Sequence, residues 1–193
     1  MNTWRNTLFF ALISLPSLAF AQTATHTHEP SGQPVTVEAQ KAFDKLKTLA
    51  GSWAGQLTTT PGVPAVEGKF AQFSLQVTSR GNAMVHEMSV FSLPDHSVTM
   101  FYLDGDRLAL THYCDAGNRP RMVGKMSPDG KTLEFDFLDL AGSNENGHMH
   151  RAVFTFIDEN HHTEDWTYMA PGDTPVRAHF DLQRTNFESS PAR

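Results

Sequence analysis

Cysteine is nearly absent from this chain of 193 residues, and Cys114 is the only one. A single cysteine cannot form an intramolecular disulfide, so the sequence predicts a free thiol at this position. The fold must therefore be held together by its own apolar core, which a single domain of this length can supply.

An excess of basic residues is also missing. Without Arg5, which lies in the N-terminal segment, 15 − 1 = 14 basic residues face 21 acidic ones, a net charge of −7 with histidine neutral. The basic residues are scattered along the chain rather than clustered. Nucleic acids and anionic membrane surfaces are therefore poor candidates as partners.

Long apolar runs are confined to the N-terminus. Residues 1–21 contain Arg5, the run LFFALISLPSLAF and then Ala19-Phe20-Ala21, a pattern typical of a cleaved signal peptide. Cleavage after Ala21 would leave 193 − 21 = 172 residues with no membrane anchor. The sequence thus predicts a periplasmic or secreted protein. Residues 22–34 are predicted to be a disordered leader, in which His26 and His28 are more readily explained as a solvated tail than as a metal site.

One helix and a series of strands follow the leader. Thr36 is a candidate N-cap, the apolar residues Phe43, Leu46 and Leu49 follow at helical spacing, and Gly51 is the predicted stop. Beyond it, stretches of alternating character such as KFAQFSLQVTS and TLEFDFLDL are separated by turn signals about 8–12 residues apart. We predict an all-β fold, an antiparallel up-and-down barrel of about nine or ten strands. An open sandwich is the alternative.

The first strand carries the motif LAGSWAGQ, with Gly51, Trp53 and Gly55. This motif resembles the start of the calycin barrels, which include lipocalins, fatty-acid-binding proteins and nitrobindins. The longer string from GNAMVHEMSVF through LTHYCDAGNRPRM to HFDLQR resembles a family of exported bacterial lipocalin-like proteins without an established activity. The resemblance implies one lipocalin-like domain over residues 35–187, a flexible tail over 188–193, and a Trp53 side chain that closes one end of the barrel.

Histidines recur on the predicted apolar faces of the strands. Alternation with a period of two groups Leu108 and Leu110 with His112 and Cys114. The same rule groups His86 with Met84, Met88 and Val90, and groups His148 and His150 with Ala152, Phe154 and Phe156. If these strands share an inward phase, the four histidines His86, His112, His148 and His150 converge in one cavity.

Three interpretations of this convergence stay open. Zinc or another divalent ion could be bound by His148 and His150, with His86 or His112 completing the site. Haem is a second candidate, since the resemblance to nitrobindins implies a proximal histidine on the last strand, where His179 and Arg177 share a face. Alternatively, the histidines are structural and hydrogen-bond to neighbouring carboxylates and backbone groups.

The stretch LTHYCDAGNRPRM offers two further kinds of chemistry. Cys114 beside His112 resembles half of a thiolate–imidazole pair, although a lone cysteine is more often a small buried apolar residue. Arg119 and Arg121 are same-face neighbours that could clamp a ligand carboxylate, or could pair with Asp115, Glu134 or Asp136.

Together these features predict a binding protein for a small ligand. The ligand would be largely apolar and possibly anionic, held inside the barrel by His86, Met88, His112, Cys114, Arg119, Arg121, His148, His150 and Phe154. The competing hypotheses are a metal- or haem-dependent barrel, a small enzyme that uses His112, Cys114 or Glu87, and a barrel filled by its own side chains. The cofactor is left unassigned, and we expect a monomer or a weak homodimer.

Overall fold

The computed structural model describes residues 36–91, 93 and 96–186. The predicted signal peptide, leader and C-terminal tail lie outside these residues. One α-helix, α1, precedes ten strands, and a short 3-10 turn (Ser79–Gly81) connects the second and third strands. The bounds of α1 and β1–β10 are Val37–Lys47, Gly51–Thr60, Phe70–Thr78, Ala83–Val90, His96–Asp104, Arg107–Tyr113, Arg119–Met126, Thr132–Ala141, His148–Phe156, His161–Ala170 and Thr174–Thr185.

The ten strands form a closed antiparallel barrel. Each strand pairs with the next one along the chain, and β1 pairs with β10 to close the sheet. The predicted all-β up-and-down barrel is thereby confirmed, and the open sandwich is excluded. Closure leaves no strand unpaired along a whole edge, which limits the template for aggregation.

Helix α1 begins where the sequence predicts and ends earlier. The Thr36 side chain accepts a hydrogen bond from the Ala39 N–H at 3.1 Å, as expected of an N-cap. The helix ends at Lys47 with Thr48 as C-cap, so the predicted stop at Gly51 is wrong. Gly51 is instead the first residue of β1. Its φ of +139° is a backbone conformation that residues other than glycine rarely adopt.

Helix α1 and Trp53 close one end of the barrel. The helix packs against β4, β5 and β6 and buries Ala42, Phe43 and Leu46. The Trp53 ring is 1% exposed and its Nε1–H donates to the Leu49 carbonyl at 2.8 Å. We call this half of the barrel the sealed end.

Gly55 explains part of the motif around Trp53. A Cβ at this position would lie 1.7 Å from the Asp181 carbonyl oxygen on β10. Because backbone atoms cannot yield as a flexible side chain can, only glycine lets β1 and β10 approach this closely. In this motif, Trp53 closes one end of the barrel and Gly55 permits the β1–β10 pairing that closes the sheet.

The interior is filled by side chains over most of its length. Aromatic rings from several strands lie in edge or tilted contact, with Phe101 5.3 Å from Phe135 and 5.7 Å from Phe154 between ring centroids. These three rings are fully buried. The interpretation of a barrel filled by its own side chains therefore applies to the sealed end and to the centre, but not to the opposite end.

Two bulges break the alternation on which the sequence interpretation rests. The β8–β9 register shifts between Met149 and Arg151, and the β6–β7 register shifts between Arg121 and Met122. In β8, Met149 pairs with Tyr168, while Ala152 pairs with Trp166. Met149, and not His148 or His150, therefore continues the inward face of Ala152, Phe154 and Phe156.

No helix among the described residues combines the length and the apolar character needed to cross a bilayer.

Candidate functional site

A buried carboxylate lies at the centre of the filled interior. Glu164 on β9 is 0% exposed and accepts hydrogen bonds from three N–H groups. His86 Nε2 lies 3.2 Å from Oε1, His162 Nε2 lies 3.1 Å from Oε1, and Trp166 Nε1 lies 2.9 Å from Oε2. We call these four residues the Glu164 cluster.

The surroundings of Glu164 favour its charged form. Burial by itself raises the pKa of a carboxyl group, but the charge of His86 and the hydrogen bonds from His162 and His86 outweigh burial and lower the pKa of Glu164. An ionised carboxylate with three donors is the arrangement that makes burial of such a charge tolerable.

His162 is the fourth residue of the cluster, and one of its two ring nitrogens makes no hydrogen bond to a described residue. Its Nδ1 is buried and has no hydrogen-bond partner among the described residues. A proton on this nitrogen would be a buried donor without an acceptor, so the tautomer that donates from Nε2 to Glu164 is favoured. His162 also packs edge-on against Trp53 at 4.2 Å, which ties the cluster to the sealed end.

The opposite end of the barrel holds a cavity of about 390 Å³, open to solvent. We call it the mouth cavity. It lies where β3, β5 and β9 end and where β4 and β8 begin. Its lining combines apolar and uncharged polar groups with one acidic residue, namely Met88, Ser97, His112, Cys114, Asp115, Ala116, Asn146, Met149 and Tyr168.

His112 presents an unpartnered nitrogen to the mouth cavity. The residue is 1% exposed, and its Nδ1 lies 2.8 Å from the Thr99 hydroxyl. Its Nε2 has no hydrogen-bond partner among the described residues. Burial, with a smaller contribution from the charge of His86, lowers the pKa of His112 to about 3, so the imidazole is neutral near pH 7. Depending on the orientation of the Thr99 hydroxyl, Nε2 is either a donor or a free acceptor.

Cys114 lies beside His112 in the turn after β5. The turn is closed by the Cys114 N–H, which donates to the Asn118 carbonyl at 3.0 Å, and by the Gly117 N–H, which donates to the Cys114 carbonyl at 2.9 Å. The thiol is free and half-buried. Burial raises its pKa, and the backbone N–H groups of Ala116, Met149 and Asp115 offset this rise only in part. Near neutral pH the thiol therefore stays protonated.

His148 and His150 do not join the other two predicted histidines. The β7–β8 ladder covers only Thr132–Asp136 and Arg151–Thr155, so the two strands separate toward the mouth. In this gap the His150 ring stacks on Phe137 at 5.0 Å, and His148 Nε2 lies 3.2 Å from His150 Nδ1. The predicted convergence of four histidines is thus not observed, because the β8 bulge changes their direction.

The metal site expected from these histidines is not assembled. Within residues 36–91, 93 and 96–186, no three His, Cys, Asp or Glu side chains are arranged to hold a metal ion. His86 contacts Glu164 in the filled interior, as the structural interpretation of the histidines expects.

Arg119 and Arg121 lie away from the mouth cavity. Both are exposed, and the Arg121 guanidinium pairs with the Asp139 carboxylate in a two-point contact. The ion-pair alternative is therefore closer to the structure than the clamp. The predicted partners of Arg121 were wrong, however. Arg121 pairs with Asp139, and Glu134 pairs with Arg151 instead. Glu87, named as a possible catalytic group, is also exposed.

His179 and Arg177 share a face of β10, as predicted, but that face is the outer one. Phe180 and Leu182 are the buried residues of this strand. His179 Nδ1 lies 2.7 Å from Asp165 Oδ1, and Arg177 Nε donates to the same oxygen at 2.9 Å. Neither side chain is positioned to ligate a haem inside the barrel, so the residues present do not fit the ligand set that the resemblance implied.

Of the residues predicted for the site, three line the mouth cavity, namely Met88, His112 and Cys114. His86 and Phe154 lie in the filled interior. Sequence reasoning missed Met149 and Tyr168 in the mouth cavity. It also missed Glu164, the carboxylate that accepts the hydrogen bonds of the Glu164 cluster. One available signal was strand β9, where alternation places His162, Glu164 and Trp166 on one face, and a carboxylate on such a face requires partners.

Comparisons with known proteins support the fold. No family model matches the chain, and no curated protein matches it. Among solved structures, the chain is similar to Rv2717c from M. tuberculosis, with a TM-score of 0.57 and 14% identity, covering 75% of this chain and 98% of that one. A protein of unknown function from the DUF3598 family of Nostoc punctiforme gives a TM-score of 0.49 and 10% identity, over 79% of this chain and 51% of that one. At 14% identity the likeness to Rv2717c concerns the fold alone.

Proposed function

We propose that the protein is an exported binding protein that holds one small, uncharged and largely apolar molecule in the mouth cavity. The observation that carries this proposal is the combination of a solvent-open cavity of about 390 Å³ with a buried, neutral His112 whose Nε2 has no partner among the described residues. A cavity of this size lies within the range of small-molecule pockets.

The lining supports an uncharged ligand. Among the described residues of the lining, Asp115 is the one side chain that is normally charged at neutral pH, and its charge is negative, while His112 is neutral. Arg119 and Arg121, expected to receive an anionic head group, do not line the cavity. An anion would therefore meet no cationic side chain among the described residues of the lining.

The shape of the interior limits the length of the ligand. Below His112 the Trp166 ring lies 5.3 Å away, and Phe154 lies a further 5.9 Å from Trp166 between ring centroids. All three residues are buried in the core. A compact ring or a short chain fits above this floor, whereas a long acyl chain would have to displace aromatic side chains.

Binding of an uncharged fluorescent probe, N-phenylnaphthylamine, tests the proposal. We expect saturable binding to the wild type and binding about tenfold weaker to Met149→Gln, because an amide in an apolar contact costs about 1–3 kcal/mol. Met100→Gln is the matched control. Met100 lies on the same strand as Thr99 but on the opposite, outer face. Absence of saturable binding, or equal weakening in the two variants, would contradict a site at the mouth.

Export is tested separately. The pattern in residues 1–21 supports cleavage after Ala21, so mass spectrometry of the protein purified from its native host should find a chain that begins at Gln22. An intact chain beginning at Met1 in the cytosolic fraction would overturn the proposed location and leave the binding proposal standing.

A further inference from the structure

The mouth cavity holds an unusual collection of sulfur atoms. Two thioethers, from Met88 and Met149, and the chain's one thiol, from Cys114, line it together with the His112 imidazole. Organic-ligand binding explains the methionines as apolar surface and His112 as a polar contact, but it gives no role to the thiol of Cys114.

The strand register brings these groups toward one another. Met88 on β3 lies opposite Ser97 on β4, and Thr99 on β4 lies opposite His112 on β5. Cys114 follows His112 by two residues and so falls at the same end of the cavity. Met149 lies on β8 and lines the same cavity as Cys114. Methionine side chains are long and flexible, so their sulfur atoms can reach inward from opposite sides.

We propose that the mouth cavity is a binding site for a soft monovalent metal ion of the Cu(I) class, ligated by Cys114 Sγ, His112 Nε2 and the thioether of Met88 or Met149. Thiolate and thioether ligands select Cu(I) over harder ions, and imidazole is an accepted partner for copper. Among the residues that the structure describes, no such site is available from histidines and carboxylates alone.

The binding step balances without an electron donor or acceptor. The S–H bond of Cys114 breaks, a Cu–S bond forms, the released proton goes to solvent, and the metal stays in its +1 state. His112 would ligate as a neutral imidazole and so loses no proton. Metal binding should therefore release one proton, and it should strengthen as the pH rises.

The site goes beyond the proposed binding of an organic molecule, and the two occupants would share one cavity. Cu(I) should accordingly displace the fluorescent probe. A failure of Cu(I) to bind, with probe binding intact, would overturn this inference and leave the proposed function standing.

An anaerobic titration of the full chain with Cu(I), in competition with a chromophoric Cu(I) chelator, is the test. We expect one equivalent to bind with release of one proton and loss of Cys114 labelling by a thiol reagent. Cys114→Ser should weaken binding at least about 100-fold and His112→Gln about tenfold, since altering even the outer-shell partners of a metal site costs about 10- to 100-fold in affinity. Because either thioether can act as the third ligand, the double variant Met88→Leu, Met149→Leu should weaken binding by about tenfold. Met100→Leu, on the outer face, is the matched control and should bind as the wild type does.

Two results would overturn the inference. One is equal affinity in the wild type and in folded Cys114→Ser. The other is loss of binding in the double variant His26→Ala, His28→Ala, which would assign the copper to the N-terminal segment. If Cys114→Ser fails to fold, two measurements still decide the question: the contrast between the double variant Met88→Leu, Met149→Leu and the control Met100→Leu, and the thiol protection in the wild type.

Discussion

The sealed end and the mouth of this barrel surround their buried polar groups differently. In the filled interior adjoining the sealed end, Glu164 receives hydrogen bonds from three N–H groups and the aromatic core leaves little space around it. At the mouth, His112 is as deeply buried as His86, yet it lines a cavity open to solvent. The difference indicates that histidine burial alone does not mark a candidate site, whereas burial beside open space does.

Breaking the Glu164 cluster should have the largest effect. Glu164→Gln removes the charge and turns one acceptor into a donor that faces the N–H groups of His86, His162 or Trp166. We expect a loss of about 3–5 kcal/mol in the free energy of unfolding, measured by urea denaturation, with little change in probe affinity at the mouth. Glu87→Gln, on the exposed face of β3, is the control and should stay within about 0.5 kcal/mol of wild type.

This prediction would fail if Glu164→Gln were as stable as Glu87→Gln. It would also fail if Glu164→Gln abolished probe binding while leaving stability unchanged, because the cluster would then belong to the binding site rather than to the core.

The pH dependence of stability tests the burial of His112, and the expected effect is smaller than that of breaking the Glu164 cluster. The unfolded chain takes up a proton at His112 near pH 6.5, whereas the folded protein does so only at about 3. The stability that this residue contributes is therefore fully present above pH 6.5 and is lost as the pH falls toward 3. The loss amounts to about 2 kcal/mol by pH 5.

Chemical denaturation of the wild type and of His112→Gln at pH 7.5 and pH 5 measures this contribution. The variant should lose less stability on acidification than the wild type does. Burial also lowers the pKa of His148, whose contribution has the same sign and remains in both proteins, so it does not affect the difference. Identical acid sensitivity in the two proteins would show that His112 is accessible to protons in the folded state.

The smallest effect is expected at Arg121. Its ion pair with Asp139 is nearly half-exposed on both sides, and exposed pairs of this kind contribute about 0–1 kcal/mol. Arg121→Ala should therefore change the melting temperature little and leave the affinity for an uncharged probe as it is. Should it weaken binding of an anionic probe tenfold or more, the carboxylate clamp expected from the sequence would regain support.

Features that depend on local pattern could be predicted. The N-cap at Thr36, the free thiol at Cys114 and the series of hairpins follow from residue types and short spacings, and the structure bears them out. Placement of His112 and Cys114 beside Met88 was also within reach, because alternation holds along β3 and β5.

Features that depend on interruptions of the pattern could not be predicted. A bulge adds one residue to a strand and reverses every later side chain, yet nothing in HMHRAVFTF marks the extra residue. His148 and His150 were consequently assigned to the wrong face, and Met149 was missed. Likewise, which acidic residue pairs with Arg121 depends on the β6–β7 register, which also shifts.

What the sequence determined by itself is the kind of fold: one capped helix followed by strands whose turns and period of two leave an antiparallel barrel as the economical way to bury their apolar faces. What only the tertiary structure decided is which residues meet inside it. The partnership of Glu164 with His86 spans 78 positions of the chain, and the mouth cavity gathers residues from five strands and their adjoining turns. Such meetings depend on ladder register and bulges, which are set by packing of the whole barrel rather than by any local stretch.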